Sequence, residues 1–412
     1  MRSINRRYFL GTSAAEGAAL VGGLGRVTEA YAASAASELT PGVPAGIKSY
    51  VTMGALPGKK PLIQLSDRPP NYEAPLEYLR TPITPNNEFF VRYHLANIPD
   101  SIDPKTYKIA VGGDGANGKA EITFDDLKKL PAVEVVAVNQ CSGNRRGLSN
   151  PHVAGVEWGY GAMGCARWKG ARLKDIVDKV GLKKEAIEIA FNGAEGPAIE
   201  KTPDFIKSLP AWKAMDENTI VAYEMNGAPL PHFNGFPARL IVPGWTGTYW
   251  MKHLISIEAR TTPQGGFWMK PAYRIPVGEF PVRDRFITQE DATSTPITEI
   301  VVNSLITSHR DGAKVKPGRV TISGLAWDGG YGIRAMQVST DGGKIWTDAK
   351  LGQDLGRFAF RPWSFDLHAK RGKNTIMVNA TNKIGQTQTA SLLFNGAGYH
   401  NNVMQNITLI GA

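Results

Sequence analysis

Beyond residue 290 the sequence breaks into short runs that alternate apolar and polar residues, and this pattern restricts the fold more than any other feature. The runs GRVTISGLAW, RAMQVSTDGGKIW, FRPWSFDL and KNTIMVNATNKIGQTQT each read as a strand with one apolar face. Val320 and Ile322 share such a face, as do Met336 and Val338, and Ile376 and Val378, because successive strand side chains point to opposite sides. Asp341-Gly342-Gly343 and Lys383-Ile384-Gly385 supply turns between them. Closely spaced strands of this kind predict an immunoglobulin-like β-sandwich over residues 286–412, a packing or dimerisation module. Chemistry is then expected in the preceding domain, residues 36–285.

That domain reads differently. Residues 36–90 are rich in proline and turn formers and are expected to wrap the surface. From 91 to 280 short strand and helix signals alternate. Thr123-Phe-Asp-Asp126 resembles a capping box that opens a helix ending near Pro131. Val133 to Val138 reads as a buried strand, and ARLKDIVDKVG spaces Leu173, Ile176, Val177 and Val180 for a helix that Gly181 stops. There is no GxGxxG or P-loop fingerprint. The expected class is α+β: a mixed α/β domain followed by the sandwich.

The N-terminus, MRSINRRYFLGTSAAEGAAL, pairs Arg6 and Arg7 ahead of a small-residue apolar stretch and an Ala-Tyr-Ala site ending at Ala32. This predicts a twin-arginine signal peptide over residues 1–35 and a periplasmic protein exported already folded. That route is commonly used by proteins that take up a cofactor before export. No later apolar run is long enough to span a membrane. The formal charge of +10 favours anionic partners, but it is scattered without a basic stripe, which argues against nucleic acid.

The chain has only two cysteines, Cys141 and Cys165, and no CxxC, HExxH or CxxCH. Cys141 lies in VNQCSGNRRGLSN, directly after the predicted strand and before Arg145 and Arg146. Nearby guanidinium groups favour a thiolate, and a lone thiolate suits a single bond to a soft or high-valent transition metal. A small buried core cysteine is the other reading. In FFVRYHL, Arg92 and His94 fall on one face of an extended strand, and an inward Arg and His need an anion to meet. An exposed strand face is equally compatible with that segment. GGFWMKPAYRIP places Trp268, Lys270 and Tyr273 in a Gly/Pro-bounded loop, where aromatic anchoring is the simpler reading.

Three stretches together resemble the sulfite oxidase family of mononuclear molybdenum enzymes: NQCSGNRRG, GAMGCARWKGARLKDIV and AYEMNGAPLPHFNGFPARLIVPGWTGTYWMKHL. FFVRYH and the C-terminal sandwich also fit, so the resemblance covers nearly all of the chain after its leader. It implies that Cys141 is the one protein ligand of molybdenum, beside the dithiolene of a single molybdopterin. It implies a substrate pocket lined by Arg92, Arg146 and Tyr273, with Trp158 and His94 close by. Phe90, Arg92, His94, Glu195, Asn234, Arg239, Trp250, Met251 and Lys252 would hold the pterin and its phosphate. Asn234 stands where family members often carry histidine, the nearest here being His232.

The implied activity is oxidation of sulfite to sulfate. With no haem motif in this chain, electrons would go to a c-type cytochrome or a haem c subunit, and the sandwich implies a homodimer. The alternatives are a periplasmic molybdenum reductase of sulfoxide-type substrates and a metal-free binding protein on the same fold. Cys165 is expected to serve packing.

Overall fold

The computed structural model describes residues 52–412; the predicted signal peptide lies outside them. Two sheets form the body of the first domain. One runs in the order 206–210, 188–193, 254–260, 108–112, 120–123, with 254–260 and 108–112 parallel. The other runs 228–229, 220–225, 163–172, 132–140, with 239–241 joined to 220–225. Their facing apolar side chains, including Phe191, Trp168 and Leu240, are buried in one core.

The predicted helices exist but are short, Phe124–Lys129 and Leu173–Val177. Thr123 caps the first by accepting the Asp126 N–H at 3.1 Å. The second buries Leu173, Ile176 and Val177, and Gly181 follows at φ 67. The domain is the expected α+β mixture, with more strand than helix because most periodic runs pair into ladders.

Residues 52–93 depart from expectation more sharply. Instead of wrapping the surface, Thr52–Gly54, Leu62–Ser66, Asn71–Glu73 and Val91–Arg92 form a four-stranded antiparallel sheet. Leu62, Tyr72, Val91 and Tyr93 make its own buried cluster. Strands this short carry too few alternations to be read by periodicity.

The C-terminal region is the expected sandwich. One sheet orders 303–306, 318–327, 361–369, 350–351, and the other 314–315, 405–411, 372–382, 333–339, 347–348. Val338 faces Val378 across the second sheet, and Ile322, Met336, Val338, Ile376 and Val378 are all buried between the layers. Gly342 and Gly343 take φ 78 and 88, a turn that β-branched residues could not make cheaply.

The sandwich packs directly on the strand that precedes Cys141. Val138, Met163 and Cys165 share one apolar cluster with Leu305, Leu325, Trp327 and Phe360. Trp327 also donates its indole N–H to Gln140 Oε1 at 2.5 Å. Burying such an indole is worth about 2–3 kcal/mol. Cys165 is fully buried in this seam, and burial pushes its thiol up to about 12; it packs.

Candidate cofactor and substrate site

The strand Ala132–Gln140 is partly exposed at its start and buried over its last residues. It delivers Cys141 into a turn fixed from several sides. The Cys141 N–H donates to Ala162 O at 2.9 Å, and the Asn144 N–H donates back to Cys141 O at 3.0 Å. Asn144 Oδ1 accepts the Ala162 N–H at 3.0 Å. Opposite, the buried Glu73 carboxyl accepts N–H groups of Gly159 and Gly161 at 2.7 and 2.8 Å. A Cβ at Gly143 would come within 2.5 Å of the Arg146 guanidinium carbon, so any side chain there would push the guanidinium from its place.

Cys141, free and 7% exposed, opens into a cavity. Of the expected residues, Phe90, Arg92, His94, Asn234, Arg239, Trp250, Lys252 and Tyr273 line the same cavity. Glu195, Met251, Arg146 and Trp158 lie behind its wall. Glu195 accepts the N–H groups of His94 and Leu95, both at 3.2 Å, and sits 3.6 Å from Lys252 Nζ. Met251 is buried in the core, its carbonyl accepting the Leu240 N–H at 2.8 Å. Trp158 is fully buried, its carbonyl accepting the Gly147 N–H at 2.9 Å.

The paired arginines diverge. Arg145 Nη1 donates to Asn303 Oδ1 at 2.8 Å and Nη2 to Val403 O at 2.7 Å, so its charge is spent on the sandwich. Arg146 Nε donates to Ala397 O at 2.7 Å and Nη1 to Val156 O at 3.2 Å, with the guanidinium 5.2 Å from the Tyr399 ring centre. The expected pair of charges beside the thiol is replaced in the cavity by Arg92, whose charge is opposed by burial and favoured by Tyr273, Cys141 and Glu195.

The strand 91–92 ends before His94, yet both side chains meet at Tyr273. Arg92 Nη2 donates to Tyr273 Oη at 3.3 Å, and His94 Nε2 is hydrogen-bonded to the same oxygen. Burial, with Arg92, Lys252 and Lys207 adding repulsion, holds the His94 pKa well below the ordinary value, so the ring is neutral. Burial raises the Tyr273 phenol against the pull of Arg92. Tyr273 itself adopts φ 60, a left-handed conformation uncommon for an aromatic residue. Lys270 from the same loop is exposed and does not line the cavity.

The far end is more cationic. Arg239 donates to Asn234 O at 2.8 Å and Trp250 O at 3.0 Å; burial lowers its pKa to about 9. Lys252 lies 4.0 Å from the Tyr93 ring centre, and burial lowers its pKa to about 8 despite Glu195. His253 Nδ1 meets Phe236 O at 2.6 Å and must carry the proton, so Nε2 accepts the Tyr93 hydroxyl at 2.7 Å. Tyr93, His253, Phe205, Thr248 and Lys59 were not expected from the sequence. Lys59 Nζ donates to Asn86 O at 2.6 Å, Phe89 O at 3.0 Å and Asn234 Oδ1.

Desolvated cations with one nearby carboxylate are costly without an anion. Buried His94 Nδ1, Asn139 Oδ1, Ser142 Oγ, Arg239 Nε and Thr248 Oγ1 also lack any protein partner. A hydrogen-bonding, anionic cofactor satisfies both needs. Among the described residues no cluster of three or more His, Cys, Asp or Glu could hold a metal, so a metal at Cys141 must bring its other ligands with it. The residues therefore fit a molybdopterin with its phosphate.

Comparison with known proteins agrees. Residues 94–268 match the oxidoreductase molybdopterin binding domain and residues 294–411 the Mo-co oxidoreductase dimerisation domain. Sulfite oxidase of Gallus gallus is 33% identical over 326 residues, 76% of this chain and 69% of that protein. Sulfite oxidase of Arabidopsis thaliana is 31% identical over 326 residues, 76% of this chain and 81% of that protein. The match to the mitochondrial sulfite oxidase of Homo sapiens, at 35% identity, takes in 78% of this chain and 60% of that protein's length. The fold is shared with the sulfane dehydrogenase SoxCD from Paracoccus pantotrophus, with TM-score 0.73 and 24% identity over 89% of this chain and 90% of that chain. The chain belongs to the sulfite oxidase family of molybdopterin oxidoreductases.

Proposed function

We propose that the protein oxidises sulfite to sulfate at a molybdenum–pyranopterin centre in this cavity and passes electrons singly to a c-type cytochrome or haem c subunit in the periplasm. The observation that carries this reading is the convergence of the Cys141 sulfur with Arg92, Tyr273 and neutral His94 in one cationic cavity. Its relatives named sulfite oxidase support the substrate.

In balance, sulfite and water give sulfate, two protons and two electrons. The bound molybdenum centre supplies the oxygen-transfer and two-electron chemistry, with Cys141 as its one protein ligand. Arg239, Lys252 and Asn234, with the backbone at Trp250 and Met251, would hold the pterin and its phosphate. Arg92 receives the sulfur oxyanion: a guanidinium presents fixed, directional donors to such a group. Tyr273 keeps one hydrogen bond from Arg92 and shares the other with His94, so the pair orients the substrate and offers a path for a proton. Phe90 and Phe205 wall the site against water, which strengthens these interactions. Arg146 and Trp158 support the turn that carries Cys141. The sandwich would pair two such chains.

The test is sulfite-dependent reduction of cytochrome c, with ferricyanide and oxygen as competing acceptors and methionine sulfoxide as a competing substrate. Turnover with cytochrome c and none with the sulfoxide supports the reading. Sulfoxide reduction without sulfite oxidation would replace it with the reductase.

A further inference from the structure

Lys59 lies outside both matched domain families, which begin at residues 94 and 294, yet its ammonium bonds to Phe89 and Asn234, which line the cavity. It is borne on the turn between Thr52–Gly54 and Leu62–Ser66. Its Nζ ties together the turn at Asn86, the carbonyl of Phe89 and the side chain of Asn234. Asn234 then donates Nδ2 to Phe90 O at 3.1 Å, which fixes its carboxamide completely. The Asn234 main-chain carbonyl accepts from Arg239 Nη1, and Arg239 Nε is a buried donor without a partner among the described residues. The chain of contacts runs from Lys59 through Asn234 to Arg239 and ends at the cavity.

Three acceptors use all three N–H donors of an ammonium, one more than a neutral amine has, so the bonding geometry calls for the cation. Its surroundings make that cation costly. Lys59 is repelled by Arg239, and no carboxylate among the described residues is bonded to it. A buried like-charged pair of this kind is costly alone and favourable beside a polyanion. We propose that Lys59 is a positioning residue for the anionic arm of the cofactor: it locks Asn234 and Arg239 in place and adds positive potential behind them. The inference rests on the cofactor reading above. It gives the N-terminal sheet a part in retaining the cofactor.

The experiment compares wild type, Lys59→Met and Lys59→Arg made in a cofactor-competent host. It measures molybdenum per chain, the rate of pterin release on dilution and gel filtration, and thermal unfolding of cofactor-free protein. The expected result is at least a fivefold loss of molybdenum per chain and faster release in Lys59→Met. Lys59→Arg should retain most of both, and the cofactor-free proteins should unfold alike. Equal molybdenum and equal release in wild type and Lys59→Met overturns the proposal. If Lys59→Met does not accumulate folded, Lys59→Arg decides through pH: its release should stay slow to higher pH than wild type, and identical pH profiles overturn the proposal. A wild type that takes up no molybdenum would instead defeat the cofactor reading itself.

Discussion

The ring of Tyr399, from the sandwich domain, lies stacked on that of Tyr273, with centroids 5.6 Å apart and planes 12° from parallel. The same ring faces the Arg146 guanidinium, and Asn395 braces its backbone with two 2.9 Å hydrogen bonds. The second domain therefore helps hold Tyr273 in its left-handed conformation, contrary to the expectation that function resides in the first domain alone. Tyr399→Leu should lower kcat for sulfite oxidation about tenfold or more, since small misplacements of a positioned group are costly. Molybdenum content should be unchanged; steady-state kinetics with metal analysis checks both.

Arg92 is the one guanidinium that lines the cavity near Cys141 and Tyr273. Arg92→Lys keeps the charge and loses the fork. It should raise KM for sulfite about tenfold or more while metal content stays whole.

Arg145 is fully desolvated and bonded across the domain boundary to Asn303 and Val403, with its guanidinium 5.2 Å from the Tyr160 ring centre. Arg145→Met should cost about 3 kcal/mol, the usual penalty for leaving buried partners unpaired. Urea unfolding followed by tryptophan fluorescence should show a lowered midpoint with separation of the two domains' transitions.

His400 is buried with neither ring nitrogen bonded, and burial lowers its pKa to about 3. A base depressed in the folded state leaves the unfolded chain binding more protons below the ordinary value of 6.5, so stability falls as pH drops from there towards 3. By pH 4.5 this group alone should remove roughly 2–3 kcal/mol. At φ 57 the site accepts asparagine. His400→Asn should therefore lose less stability than wild type between pH 6.5 and 4.5, as measured by chemical denaturation across pH.

The parts legible in the sequence are those written in contiguous residues. The sandwich strands announced themselves through period-two alternation, and Cys141 through its unbroken turn motif. Arg92, Tyr273, Arg239 and Lys252 came with the family resemblance. The directions taken by Arg145 and Arg146 depend on carbonyls more than 200 residues away in sequence, which no local pattern encodes. Lys59 sits in a Lys-Lys pair between glycine and proline and reads like any solvated turn. Lys207 gave a better signal: a lone lysine in the strand Ile206–Pro210, buried against the rings of Tyr249 and Tyr273.

Cys141 as the ligand that holds molybdenum for sulfite oxidation is tested most directly by elemental analysis of wild type and Cys141→Ser, each paired with sulfite-dependent reduction of ferricyanide. About one molybdenum per wild-type chain is expected, with turnover that collapses in the variant while its pterin is retained by the cationic end of the cavity. Undiminished sulfite turnover in Cys141→Ser, or a molybdenum-free wild type from a cofactor-competent host, would contradict it.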